Sequence, residues 1–71
     1  MHRDPVRSSV IASVGYSPDE NLLQVEFTTG RVYTYHRVPP HVHAALLAAR
    51  SIGRYFNTRI RDRYAWDEEP R

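Results

Sequence analysis

The Pro39-Pro40 pair divides this chain by hydrophobic period. Before it, apolar residues recur at every second position, the spacing of strands. After it, they recur at three and four, the spacing of a helix. Residues 8–16 alternate, with Val10, Ala12, Val14 and Tyr16 on one parity and Ser9, Ile11, Ser13 and Gly15 on the other. Ser17-Pro18-Asp19-Glu20-Asn21 is a turn cluster. A second strand over residues 22–28 sets Leu23, Val25 and Phe27 against Gln24 and Glu26, and a third spans residues 31–37. Pro39 holds its predecessor extended, and Pro40 suits the first position of a helix. Val42, Ala45, Leu46 and Ala49 then form one helical stripe, which Leu47 widens. Ser51-Ile52-Gly53 stops that helix near Arg50 and supplies a turn and a cap. A second helix is expected over residues 54–64, with Phe56, Ile60 and Tyr64 at four-residue spacing. Short connections make the strands an antiparallel meander, and the helices bury their stripes on one face of it. The expected fold is α+β: a three-stranded antiparallel meander followed by two short helices.

The loop between the second and third strands decides where two tyrosines go. A two-residue loop, Thr29-Gly30, pairs Phe27 with Val32 and turns Tyr33 and Tyr35 away from the Leu23/Val25/Phe27 face. A three-residue loop, Thr28-Thr29-Gly30, pairs Phe27 with Arg31, Val25 with Tyr33 and Leu23 with Tyr35. One residue of slip reverses every side chain. The two-residue turn requires positive φ at a β-branched Thr, whereas the three-residue loop places it at Gly30. The three-residue loop is therefore expected, with both tyrosines on the apolar face.

Size and composition bound the rest. A chain of 71 residues holds one small domain. Leu, Ile, Val and Phe make up 16 of these residues, enough for a folded core. There is no cysteine and hence no disulfide framework. The longest uncharged apolar run, residues 42–49, is far below a membrane span. No secretory signal is visible at the N-terminus, so a cytoplasmic, membrane-free protein is expected. Residues 1–7 read as a polar lead-in, 8–64 as the domain, and 65–71 as a charged tail anchored only by Trp66. The net charge of +2 is a sum of unlike parts. Nine arginines against five acids give +4 up to Trp66, and three acids against one arginine give −2 after it.

Several blocks carry a family resemblance. They are Ser8-Ser9-Val10-Ile11-Ala12-Ser13-Val14-Gly15-Tyr16, Leu23-Gln24-Val25-Glu26-Phe27 and Gly30-Arg31-Val32-Tyr33-Thr34-Tyr35. Val38-Pro39, the run Ala49-Arg50-Ser51-Ile52-Gly53-Arg54-Tyr55-Phe56-Asn57, and Ile60-Arg61 complete them. Together they resemble the KTSC domain, a short module named for its place at the C-terminus of some lysyl-tRNA synthetases and also found as a small stand-alone bacterial protein. The resemblance covers about residues 6–64 and includes the family's Tyr-x-Tyr hallmark at Tyr33-Thr34-Tyr35. It implies a domain of unknown function with a suggested role in RNA binding.

The residues themselves offer two candidate features. Arg50, Arg54, Arg59, Arg61 and Arg63 stand against one acid, Asp62, in residues 50–63. On a continuous helix Arg54 and Arg61 share a face, and Arg59 and Arg63 share another. Guanidinium forks bind phosphate in bidentate fashion. Ten arginines without a lysine, beside abundant Ala and Pro, are also the usage of a GC-rich genome and describe an ordinary solvated face. Tyr33 and Tyr35, flanked by Arg31 and Arg37 on the same parity, offer base-stacking rings if exposed and core rings if the helices cover them. The register favours the core. His41 and His43 point about 200° apart on a helix, so no metal site is expected. No nucleophile–base motif or phosphate loop is present, so neither catalysis nor a cofactor is expected. The leading expectation is a binding module for RNA or single-stranded nucleic acid using Arg50, Arg54, Arg59 and Arg61, with Arg31, Arg37, Tyr33 and Tyr35 in support. The alternative is a protein-interaction or self-association module using an exposed sheet edge, above all the charge-free first strand.

Overall fold

A computed structural model describes residues 1–70; Arg71, the last residue of the expected tail, lies outside them. The chain forms β1 (Asp4–Pro5), β2 (Ile11–Ser17), β3 (Leu22–Phe27), β4 (Val32–Tyr35), α1 (Pro40–Ala48), α2 (Ile52–Arg59) and β5 (Trp66–Glu68). All strands are antiparallel and lie in sequence order in one sheet. The α+β class is as expected, but the sheet has five strands rather than three. The two additional strands come from the lead-in and the tail. Asp4 and Pro5 pair with Val14 and Ser13, and Val6 N–H donates to the Ala12 carbonyl at 3.1 Å. At the other side Tyr33, Thr34 and Tyr35 pair with Glu68, Asp67 and Trp66. The edge expected to be free on the first strand is thus partly occupied by β1. Both outer strands are short, which limits further edge pairing.

The β3–β4 hairpin has the three-residue loop. Val25 faces Tyr33 and Leu23 faces Tyr35. Phe27 N–H donates to the Arg31 carbonyl at 2.8 Å, and Gly30 takes φ 93°, a conformation open to glycine. A break in register between Ile11 and Ser13 was not visible in the alternation: Ile11 pairs with Phe27, yet Ser13 pairs with Glu26. The extra residue, Ala12, is a β-bulge that lets Ile11 and Val14, on opposite parities, both enter the core.

Pro39 caps α1 and Pro40 opens it, as their fixed φ favours. Val42 and Leu46 carry its buried stripe, while Leu47 is exposed rather than widening it. His43 stacks on Tyr16 at 4.7 Å, and its partial burial lowers its pKa. Ser51 caps α2, its hydroxyl accepting from Arg54 N–H at 3.2 Å. This second helix begins two residues before the expected start and ends five before the expected end. After Arg59, both Ile60 N–H and Arg61 N–H donate to the Phe56 carbonyl, and Arg63 N–H donates to Ile60. That turn keeps Ile60 fully buried and swings the chain back to β4, where His36 N–H donates to Ala65 at 2.8 Å. The core joins Ile11, Val14, Leu23, Val25 and Tyr35 of the sheet to Val42, Leu46, Ile52, Phe56 and Ile60.

The opposite face of the sheet is polar but largely sealed. Arg3 donates to Ser13 Oγ at 3.2 Å and to Gln24 Oε1 at 2.6 Å, while Gln24 Nε2 donates to Glu69 Oε1 at 2.8 Å. Gln24 is 5% exposed and accepts from one end of the chain while donating to the other. The N-terminal segment crosses this face over Gly15, where a Cβ would run into the His2 carbonyl.

Candidate nucleic-acid interface

Two adjoining grooves open beside α2. The first, about 600 Å³, lies between the β3–β4 hairpin, β5 and the end of α2. Its walls include Arg31, Tyr33, Phe56, Asn57, Arg61, Asp62 and Trp66. The second, about 550 Å³, is bounded by Arg7, Ser8 and Ser9 before β2 and by Arg50, Ser51 and Arg54 around the start of α2. Val10 and Asn57 line both, so the grooves meet along one boundary. Among the described residues, five arginines line the pair, against one acid, Asp62. All five are exposed.

An aromatic cluster floors the first groove. Phe27 meets Phe56 edge-on at 5.3 Å, and Phe56 meets Tyr35 at 5.4 Å. Tyr33 packs its edge on Phe27 at 5.4 Å and stacks on Trp66 at 4.9 Å with planes 7° apart. Tyr35 is 2% exposed, in keeping with its expected core role. Burial, reinforced by neighbouring Tyr33 and opposed by the charge of Arg61, pushes its pKa up to about 12. Tyr33 is half-buried and reaches the groove wall. The nearby Tyr33 hydroxyl and Glu68 carboxylate favour the charged Arg31 guanidinium and raise its pKa. Glu68 Oε2 stands 3.9 Å from Arg31 Nε.

The arginines named from the sequence separate into two groups. Arg31 and Arg61 meet at the first groove, and Arg50 and Arg54 at the second. The helix expected to align Arg54 with Arg61, and Arg59 with Arg63, ends at Arg59, so Arg61 reaches its groove from a turn instead. Arg59 lines neither groove and sits in the last turn of α2, near the negative pole of the helix. Arg37 takes φ 59° just beyond β4, at the end of the strand remote from Arg31. The two do not converge around the tyrosines. Arg7 and Trp66 were not among the candidates, because each belongs to an end segment read as lead-in or tail. The sequence offers Trp66 only as an anchor of the tail, and its pairing with Tyr35 brings it to the groove.

The histidines are dispersed. His36 contacts Asp67 at 2.7 Å and His2 contacts Asp4 at 2.8 Å. Among the described residues, no group of three or more His, Asp or Glu side chains is placed to hold a metal ion. No helix of these residues is long and apolar enough to cross a membrane.

Over nearly its full length the fold is similar to the crystal structure of a KTSC domain protein from Yersinia pestis, with a TM-score of 0.92, 36% identity and 97% of each chain covered. An uncharacterized protein of Stutzerimonas stutzeri strain A1501 is 49% identical over 57 residues, 80% of each chain. A protein of Tsukamurella paurometabola is 47% identical over 60 residues, 84% of this chain and 90% of its own. A lysine–tRNA ligase of Nostoc punctiforme is 37% identical over 60 residues, which are 84% of this chain but 11% of the ligase. The family model of the KTSC domain matches residues 7–64, from just before the bulged strand to the turn that follows α2. With sequence, span and backbone in agreement, the chain belongs to the KTSC domain family.

Proposed function

We propose that this protein is a non-catalytic module that binds single-stranded RNA through the two grooves beside α2. The observation that carries the reading is the convergence of Arg7, Arg31, Arg50, Arg54 and Arg61 on adjoining grooves lined by a single acid among the described residues. Exposed guanidinium forks along the walls of adjoining grooves suit successive phosphates, which repel one another and need cations beside them. Polar side chains in the wall of the second groove, Ser8, Ser9 and Asn57, supply uncharged donors for sugar and phosphate oxygens. The similarity to a segment of a lysine–tRNA ligase, a protein whose substrate is an RNA, supports the same reading.

Titration of a labelled single-stranded oligoribonucleotide at two salt concentrations tests it. If three of the five arginines contact phosphates, log affinity falls with log salt at a slope of about −2, so a fourfold rise in salt weakens binding about 16-fold. Reversal of the pair Arg54→Glu and Arg61→Glu removes binding, whereas Arg37→Glu, remote from both grooves, leaves affinity within about twofold. Affinity that is flat in salt or that survives the double reversal overturns the assignment. A molar mass that rises with concentration in light scattering, without oligonucleotide binding, would instead support self-association.

A further inference from the structure

We infer that the first groove holds a nucleobase stacked on Trp66, making it the position along the RNA at which a base, rather than only the backbone, is gripped. This inference rests on the nucleic-acid reading above and adds a second kind of contact to it. Trp66 is one of the few large apolar side chains left in the open: its stacked contact with Tyr33 leaves the residue 50% exposed. Exposure of an indole beside an aromatic cluster is costly unless something covers it, because burying its surface is favourable. The surroundings suit a planar heterocycle attached to a phosphate. Trp66 stands at the end of a chain of ring contacts running through Tyr33, Phe27 and Phe56 to the buried Tyr35. A base laid on the indole therefore meets a platform whose rotamers are already set by packing, and little side-chain entropy is lost.

The charges around the platform are arranged to match. Arg61 and Arg31 line the same groove as Trp66, so a base on the indole carries its phosphates toward two guanidinium groups. Glu68 Oε2 lies 3.9 Å from Arg31 Nε, which keeps the guanidinium near the stack while leaving it exposed. The groove volume of about 600 Å³ falls in the range of sites that seat small organic groups. The second groove has arginines and hydroxyls but no aromatic ring in its walls, so it can hold backbone but offers no stacking partner. The two grooves thus divide the work: one base is stacked at the Trp66 end, and phosphates continue past Asn57 toward Arg54, Arg50 and Arg7.

The experiment uses the full chain, whose single tryptophan reports directly on this site. Two probes of equal phosphate number are compared, an oligoadenylate and an abasic oligomer. Oligoadenylate is expected to quench Trp66 emission and to bind about tenfold more tightly than the abasic oligomer. Trp66→Ala removes that difference while leaving the abasic affinity and the salt slope unchanged. Trp66→Phe, which keeps an aromatic face and the β5 pairing, retains most of it. Equal binding of the two probes, or binding of oligoadenylate without a change in Trp66 emission, overturns the stacking site and leaves the arginine track standing. Absence of binding by either probe overturns both.

Discussion

Tyr35 shows how one buried hydroxyl ties stability to pH. Its ring fills the space between Leu23 on the neighbouring strand and Phe56 on α2, and burial holds its pKa near 12 instead of 10. The folded chain therefore keeps the proton over a range in which the unfolded chain gives it up. Its stabilising contribution is complete below pH 10 and is lost as pH rises toward 12, on the order of 2 kcal/mol in all. Denaturant melts at pH 8, 10 and 11.5 should show this alkaline loss, and Tyr35→Phe should flatten it. An identical alkaline limb in the variant would assign the loss elsewhere, to Tyr16 for example, whose pKa burial also raises. The placement of Tyr35 was legible in the sequence because a single residue, Gly30, selects the loop that sets its register. Arg7 and Trp66 were not legible as site residues, because a residue in a polar end segment has no local pattern that says which strand it will join.

At the scale of the element, α2 matters most. It carries Phe56 into the core and Arg54 to the groove, and its position along the chain is set by Ser51. Ser51→Ala removes the side-chain acceptor for Arg54 N–H and should cost about 1 kcal/mol, a fall in Tm of about 4–8 °C for a domain of this size. Thermal unfolding checks it; a fall below 1 °C would mean that the cap contributes little. α2 ends before the expected Tyr64, although Phe56, Ile60 and Tyr64 keep a helical spacing past Arg59. Spacing says which residues share a face if the helix continues, but it does not say that it continues. Here Ile60 is buried in a turn that redirects the chain toward β4, and pairing of β5 outweighs one further helical turn. The bulge at Ala12 is the same kind of event in a strand: Val14 belongs to the alternating parity, but Ile11 faces the core only because one residue is left unpaired.

In the whole molecule, Gln24 joins the two ends of the chain. It lies in the middle strand, accepts from Arg3 and donates to Glu69, so the segments that flank the family-matched region share one anchor. Gln24→Ala leaves a buried polar arrangement without its centre and should cost about 1–3 kcal/mol. Amide hydrogen exchange should speed up in residues 4–6 and in residues 66–69 together, while Val25, Tyr33 and Tyr35 keep their protection until global unfolding. Faster exchange at one end only would mean that the ends are held independently. The coupling bears on the proposed site, because Trp66 is presented by β5 and β5 is held in part through Glu69. The acidic tail thus makes two contacts: Glu68 Oε2 stands 3.9 Å from Arg31 Nε, and Glu69 accepts from Gln24 beside the strand that carries the indole.

By itself the sequence determined the α+β order, the hairpin register, the core placement of Tyr35 and the family, because each depends on local pattern: period, turn chemistry and the order and spacing of short sequence blocks. It also supplied the arginines. Only the tertiary structure decided that residues 4–5 and 66–68 are strands, that the sheet has five members, and that Arg7 and Trp66 join Arg31, Arg50, Arg54 and Arg61 around two grooves. The physical reason is that short edge strands have no hydrophobic period of their own. Their conformation comes from hydrogen bonds offered by partner strands outside the segment itself, near in sequence for β1 and distant for β5, and those partners exist only once the meander has folded.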